Sequence, residues 1–338
     1  MASTAMALLA IVEIAFRDRG EYPNAEKMRR ASAQAAEWFQ MIDQMKREKN
    51  VRSSAGNAGM LGEEYSCITT TLGSLDAKVT SANPLFAAMF ARVLLECGID
   101  SSSSVGVTIS GSFPAAGISA LAAIQTIGAR AVVVSSLGAS TYGANQPEAT
   151  WIDMERWLCD RGGLQSHSSF VTLGGEGDSG GGIPEEGIAQ LLRAADRCGA
   201  ELFIPRTLEE SIEHRYELFV KEKIAMLINI GGNQSVLGGC RHASSISNGL
   251  HRSMVSCDDS DRGLLLRIAE AGIPVFHFLN VKQLATAYRI TRHHTELSDD
   301  ELMPISEMRG VERLPVVLAL IVLGAAVAIL RPRNHRST

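Results

Sequence analysis

Val105 to Ser136 reads V-G-V-T-I-S-G-S-F-P-A-A-G-I-S-A-L-A-A-I-Q-T-I-G-A-R-A-V-V-V-S-S. A β-rich run, Val105 to Ser110, meets a Ser-Gly-Ser turn. An apolar segment from Pro114 to Ile127 follows, then Gly128 and a second apolar run, Ala131 to Val134. Proline is tolerated in the first turn of a helix, where its missing donor would be unpaired anyway, and glycine suits the position just past the end. The stretch therefore reads as strand, helix, strand. Both strands are apolar throughout, as expected of parallel strands covered on both faces.

Working outward, the same alternation continues. The pattern predicts helices over 24–50, 84–97, 150–159, 184–198, 207–220, 261–271 and 281–288, and strands over 170–173, 202–204, 225–230 and 275–279. The expected fold is α/β, with a doubly wound, mainly parallel (Rossmann-like) sheet. The 24–50 helix places Met28, Ala31, Ala35, Phe39, Ile42 and Met45 at three-to-four spacing and reads as a stalk or packing arm leading into the domain. Glu63 to Pro84 is polar and reads as loop.

The chain has 338 residues, 46% of them hydrophobic, which supplies a sizeable core. A net charge of -5 gives no electrostatic case for nucleic acid. Leu314 to Leu330 is a run of seventeen uncharged residues followed by Arg331, Arg333 and Arg336. That length is at the lower limit for a membrane span, so the expected plan adds a C-terminal transmembrane helix and a basic tail, 331–338. Ala2 to Phe16 is a second, weaker candidate anchor within an apolar segment at 1–16. The plan is then a helix and linker over 17–62 and an α/β domain over 63–310, either in one piece or in two halves meeting near 174–182. The expected location is the cell membrane, single- or two-pass, with the main domain outside the cytoplasm.

In folds of this type ligands bind outside the carboxyl ends of the strands, which singles out Ser110, Gly111 and Ser112. Unpaired donors at the start of the Pro114 helix, with two hydroxyls beside them, suit a carboxylate or phosphate; alternatively Ser112 only caps that helix. Asn145 and Asn233 follow later strands and point to the same crevice, or satisfy their own turns. Ser112 also invites comparison with a nucleophile, although Ser110-Gly111-Ser112 lacks the flanking glycines of a nucleophile elbow. The candidate bases, His214 and His277, lie in a helix and an apolar strand.

Gly174 to Gly182, G-G-E-G-D-S-G-G-G, matches a dinucleotide fingerprint only by its glycine content. Glu176 and Asp178 would repel a pyrophosphate, so the run reads as a flexible loop and no cofactor is expected. The six cysteines are scattered singly and there is no H-E-x-x-H, so no metal is expected.

Four motifs, E-E-Y-S-C-I-T-T-T-L-G-S-L-D-A-K-V-T-S-A-N-P, S-G-S-F-P-A, S-S-L-G-A-S-T-Y-G-A-N and W-I-D-M-E, stand in this order. Together they resemble the poly-gamma-glutamate system protein family of bacteria, over roughly Leu61 to Leu279. The resemblance implies a membrane-anchored accessory of poly-gamma-glutamate synthesis, export or retention. Its partners would be the polymer or its synthase complex, and the membrane. Placement in the motifs adds Lys78, Asn83, Asp153 and Glu155 as ligand-binding candidates. The alternative is a hydrolase or transferase acting on gamma-glutamyl amide bonds, with Ser112 as nucleophile.

Overall fold

The computed structural model describes residues 24–52, 59–239, 246–253 and 262–290. All of them belong to the compact unit Asn24–Ile305. The first strand, β1 (Ser104–Ser110), is followed by a helix, Pro114–Ile127, and by β2 (Arg130–Ser136). The local signals act as read: Pro114 occupies the first turn, and Gly128 ends the helix at φ 91°, a left-handed conformation open to glycine without a Cβ penalty.

In chain order the helices are α1 (Ala25–Glu48), α2 (Leu75–Ser81), α3 (Leu85–Glu96), α4 (Pro114–Ile127), α5 (Trp151–Asp160), α6 (Glu185–Cys198), α7 (Leu208–Lys221), α8 (Gln234–Leu237), α9 (Leu264–Glu270) and α10 (Val281–Tyr288). The remaining strands are β3 (Ser168–Thr172), β4 (Met226–Ile230), β5 (Gly249–His251) and β6 (Val275–Phe278). One sheet runs β3-β2-β1-β4-β6-β5, parallel except for β5, which pairs antiparallel with β6. From β1 the chain steps outward through β2 and β3, then returns to place β4 on the other side of β1. The strand order thus reverses between β1 and β4, the position where such sheets open a crevice.

Helices α1, α3 and α4 pack together on one face. There Phe86 and Phe90 of α3 meet Phe278 edge-on and at a tilt, with centroids 5.3 and 5.6 Å apart. On the other face Val132, Val134, Phe219, Leu227, Leu264, Ile268 and Val275 form a second apolar layer. Helix α1 is therefore part of the core and not a stalk. Its buried stripe runs through Met28, Ala31, Ala35, Trp38, Ile42 and Met45, with Trp38 in the place expected of Phe39. The segment 202–204 contributes only an isolated bridge from Leu202 to Val171.

The membrane readings need correction. Among the described residues no helix is long and apolar enough to cross a membrane. The segments at 1–16 and Leu314 to Leu330, on which the transmembrane helix, the cell-membrane location and the extracytoplasmic domain rested, lie outside the described residues. What the structure shows is a mainly parallel sheet with helices on both faces.

Candidate functional site

A cleft of about 530 Å³ opens at the carboxyl ends of β1, β2 and β4. Its wall is built from five places in the sequence: Ser110, Ser112 and Phe113 from the end of β1 and the turn after it; Ser136, Gly138 and Ser140 from the end of β2 and the loop after it; Thr70 to Gly73 with Lys78; Glu176 in the glycine loop; and Gly232, Asn233 and Gln234 after β4.

The polar segment 63–84 is what brings Lys78 here. Thr70 N–H donates to the Ala139 carbonyl at 2.9 Å, and Thr141 N–H to the Thr71 carbonyl at 3.0 Å. These bonds lay the segment along the exit of β2. Asn145, fully buried, fastens its start: its Oδ1 accepts from Glu63 N–H at 2.9 Å, and its Nδ2 donates to the Glu63 carbonyl at 2.9 Å and Thr69 Oγ1 at 3.0 Å. Ser74 caps α2 by accepting from Ala77 N–H. One turn later Lys78 reaches back over the β1 turn.

Lys78 is 2% exposed. Its Nζ donates to the Ser112 carbonyl, lies 2.8 Å from Ser140 Oγ, and sits 3.8 Å from the centre of the Phe113 ring. Burial lowers its pKa from 10.5 to about 7. An ammonium taken out of water without a counter-charge is costly, so the neutral amine gains ground.

The glycine loop is pinned, contrary to the flexible reading. Gly174, Gly175, Gly177, Gly180 and Gly182 all take positive φ, as does Asp178 at 61°. The buried Asp178 carboxylate accepts from Thr172 Oγ1 at 2.9 Å, Ser211 Oγ at 2.6 Å and Asn233 Nδ2 at 2.9 Å, and pairs with buried Arg215 at 2.7 Å. Arg215 in turn donates to Ser211 and Thr172. One carboxylate thus ties the loop, α7 and the β4 exit into the far wall. Asn233 also caps α8 through Ser235 N–H.

Of the residues singled out in the sequence, Ser110, Ser112, Lys78 and Asn233 meet at this cleft. Gly111 sits behind it, its N–H donating to the Ser136 carbonyl at 3.0 Å. Asn83 starts α3 by accepting from Leu85 N–H at 2.9 Å. Asp153 accepts from Thr150 in the cap of α5 and pairs with Arg197 and Lys49. Burial alone would raise its pKa, but hydrogen bonds from Arg197 and Thr150 outweigh that and hold it below the ordinary value.

Glu155 lines a separate pocket of about 460 Å³ with Cys159, Ser168 and Cys198. It accepts from Ser168 N–H at 2.9 Å and Oγ at 2.7 Å, and burial raises its pKa to about 7. Burial also raises the neighbouring thiols, Cys159 to about 11 and Cys198 to about 12, which keeps them protonated and unreactive.

Among the described residues Ser112 lacks the base that the hydrolase alternative required. Its Oγ accepts from Ser140 N–H at 3.0 Å, and Lys78 meets its carbonyl oxygen rather than its hydroxyl. His214 stacks on Phe203 and meets Phe170 at a tilt, with centroids 4.3 and 4.6 Å apart. His277, whose Nδ1 is 2.9 Å from Asn229 Nδ2, is lowered by burial to about 4 and stays neutral. Neither imidazole lines the cleft.

Sequence reasoning missed Ser140, Thr70, Thr71 and Gln234 as cleft residues. The signal for Ser140 was available, because the rule applied to the exit of β1 applies equally to the exit of β2.

Fold and cleft together define an α/β domain with a ligand-sized opening at its topological switch point. No protein-family model, curated protein or solved structure matches this chain. The membrane-anchored accessory role in poly-gamma-glutamate synthesis is therefore withdrawn: among the described residues no helix can cross a membrane, and no match ties the chain to that polymer. Among the described residues no group of three or more His, Cys, Asp or Glu is placed to hold a metal ion.

Proposed function

We propose that this domain binds a small, oxygen-rich ligand bearing a carboxylate or comparable anion in the cleft at the ends of β1, β2 and β4. The observation that carries the reading is Lys78: a buried amine at the cleft wall with no acidic partner among the described residues to offset its burial. An incoming anion supplies the missing counter-charge through its field at the Lys78 wall, against the opposing charge of Glu176 in the same lining. The hydroxyls of Thr70, Thr71, Ser110, Ser112 and Ser136 and the amides of Asn233 and Gln234 offer neutral partners for further oxygens. Simple dicarboxylates and inorganic phosphate are the ligands to test.

Binding of the charged amine couples ligand affinity to proton uptake. Above pH 7 the amine is increasingly neutral, and affinity should fall about tenfold per pH unit. Titration calorimetry of the wild type and Lys78→Met across pH 6 to 9, with those two ligand classes, tests this. Binding that is lost in Lys78→Met and weakens above pH 7 supports the proposal; binding indifferent to both, or no binding by the folded wild type at pH 6, ends it.

A further inference from the structure

The surroundings of the Lys78 amine fix more than its charge. A neutral amine has two N–H bonds and one lone pair. The Ser112 carbonyl can only accept, and so takes one N–H. The face of Phe113, its centre 3.8 Å away, is electron-rich and also faces an N–H. Lys78 Nζ as an ammonium donates to Ser140 Oγ at 2.8 Å; once the amine is neutral, that hydroxyl is the group beside it that can turn and donate to the lone pair. This is the arrangement of a nucleophile hydrogen-bonded to its base.

The surrounding backbone holds the pair in place. Ser140 N–H donates to Ser112 Oγ at 3.0 Å, which fixes the Ser140 main chain and leaves Ser112 its own hydroxyl proton to offer. A Cβ at Gly73 would come within 3.0 Å of Ser140 Oγ and 3.2 Å of Lys78 Cε, so a glycine there leaves room for the hydroxyl and for the end of the lysine stem. Ser140 and Ser112 both line the cleft. No histidine and no carboxylate is needed, because burial holds the amine near neutrality at physiological pH.

We propose that Ser140 is a nucleophile and Lys78 its general base, and that the cleft processes acyl esters or thioesters of the carboxylic acids it binds. The proposal rests on the ligand reading above and names its substrate class. Ser140 Oγ bonds to the carbonyl carbon while its proton passes to Lys78 Nζ. The bond from that carbon to the alkoxide or thiolate breaks, and the Lys78 proton goes to the leaving group. Water then attacks the acyl-serine. Its proton passes through Lys78 back to Ser140 Oγ, and the free acid leaves. The acid ionises to a carboxylate, so the ligand class proposed for the cleft is the product of this reaction.

The two roles of Lys78 use opposite protonation states. Product binding weakens as pH rises through 7, whereas acylation strengthens over the same range.

The test treats the full chain with 4-nitrophenyl acetate and, separately, with a fluorophosphonate, then maps the adduct by peptide mass spectrometry from pH 6 to 9. The expected result is a single adduct on Ser140, absent in Ser140→Ala, reduced at least tenfold in Lys78→Met and in Lys78→Arg, and forming about tenfold faster at pH 8 than at pH 6. Circular dichroism of each variant establishes that it is folded. No adduct on the folded wild type, an adduct on Ser112, or an acetyl group on Lys78 itself overturns the proposal. Carboxylate binding without acylation removes this step and leaves the ligand reading intact. Acylation of Ser140 without carboxylate binding does the reverse.

Discussion

Replacing Lys78 with methionine should change the pH dependence of stability in a direction opposite to that of most lysine losses. In the folded protein burial lowers the Lys78 pKa to about 7, whereas the unfolded chain titrates near 10.5. Between these values the unfolded state binds more protons than the folded one, so wild-type stability rises with pH. A pKa displaced by one pH unit corresponds to about 1.4 kcal/mol. Below pH 7 the full penalty for burying the ammonium is present, and above it the penalty fades at about 1.4 kcal/mol per pH unit. Methionine keeps an unbranched stem and carries no charge, so the variant lacks this slope.

The free energy of unfolding of the wild type should therefore gain about 2 kcal/mol on Lys78→Met between pH 7 and pH 9. Urea titrations at half-unit steps measure it directly. Lys46, also lowered by burial to about 7 despite the charges of Glu63 and Asp43, is common to both proteins and cancels. Any constant cost of leaving the Ser112 carbonyl without its donor shifts the curves but not their difference in slope. Parallel curves would refute the argument, because they would mean that the Lys78 amine is solvated or paired in the folded state.

Three other substitutions test the frame around the cleft. Asp178→Ala strands the buried Arg215 guanidinium and should cost about 3–5 kcal/mol in urea unfolding; a loss below about 1 kcal/mol would mean the network does not pin the loop. For Glu155, the folded pKa of about 7 lies above the ordinary 4.5, so the stability it contributes is complete below pH 4.5 and is lost as pH rises to 7. Glu155→Gln should escape that loss, gaining about 3 kcal/mol on the wild type over this range, and an unchanged difference between pH 4.5 and 7 would contradict it. Trp38→Ala removes a fully buried ring from α1 and should cost about 3–5 kcal/mol, whereas a near-neutral effect would return α1 to the role of a stalk.

The elements legible in the sequence are those whose signals are local. Pro114 and Gly128 bracket α4, and the uninterrupted apolar runs on either side announce β1 and β2. The face of α1 is legible except at one position, because Trp38 and Phe39 both fit a three-to-four series from Ala35. Only the packing of α3 and α4 decides between them. Strand β5 has three half-buried residues and gains its identity from β6, so it leaves no pattern to read.

The site is legible where one residue sits at the end of one strand, as with Ser110 and Asn233. It is not legible where distant segments have to be brought together. The stretch 63–84 looks poor as core because its threonines and asparagines satisfy loop backbones instead of packing, and that same bonding carries Lys78 to Ser140 across 62 positions. Asp178 reads in the sequence as a deterrent to phosphate in a flexible loop, yet its partners Arg215 and Ser211 lie a helix away.

The most direct test of the central claim is the titration of the Lys78 amine itself, followed by the chemical shift of its ¹³Cε in protein labelled at lysine and assigned with Lys78→Met, with and without a saturating dicarboxylate. The account expects a midpoint near 7 in the free protein that moves upward by at least one pH unit when the ligand is bound, because the anion stabilises the ammonium. A midpoint near the ordinary 10.5 in the free protein, or one that the ligand leaves in place, would contradict it.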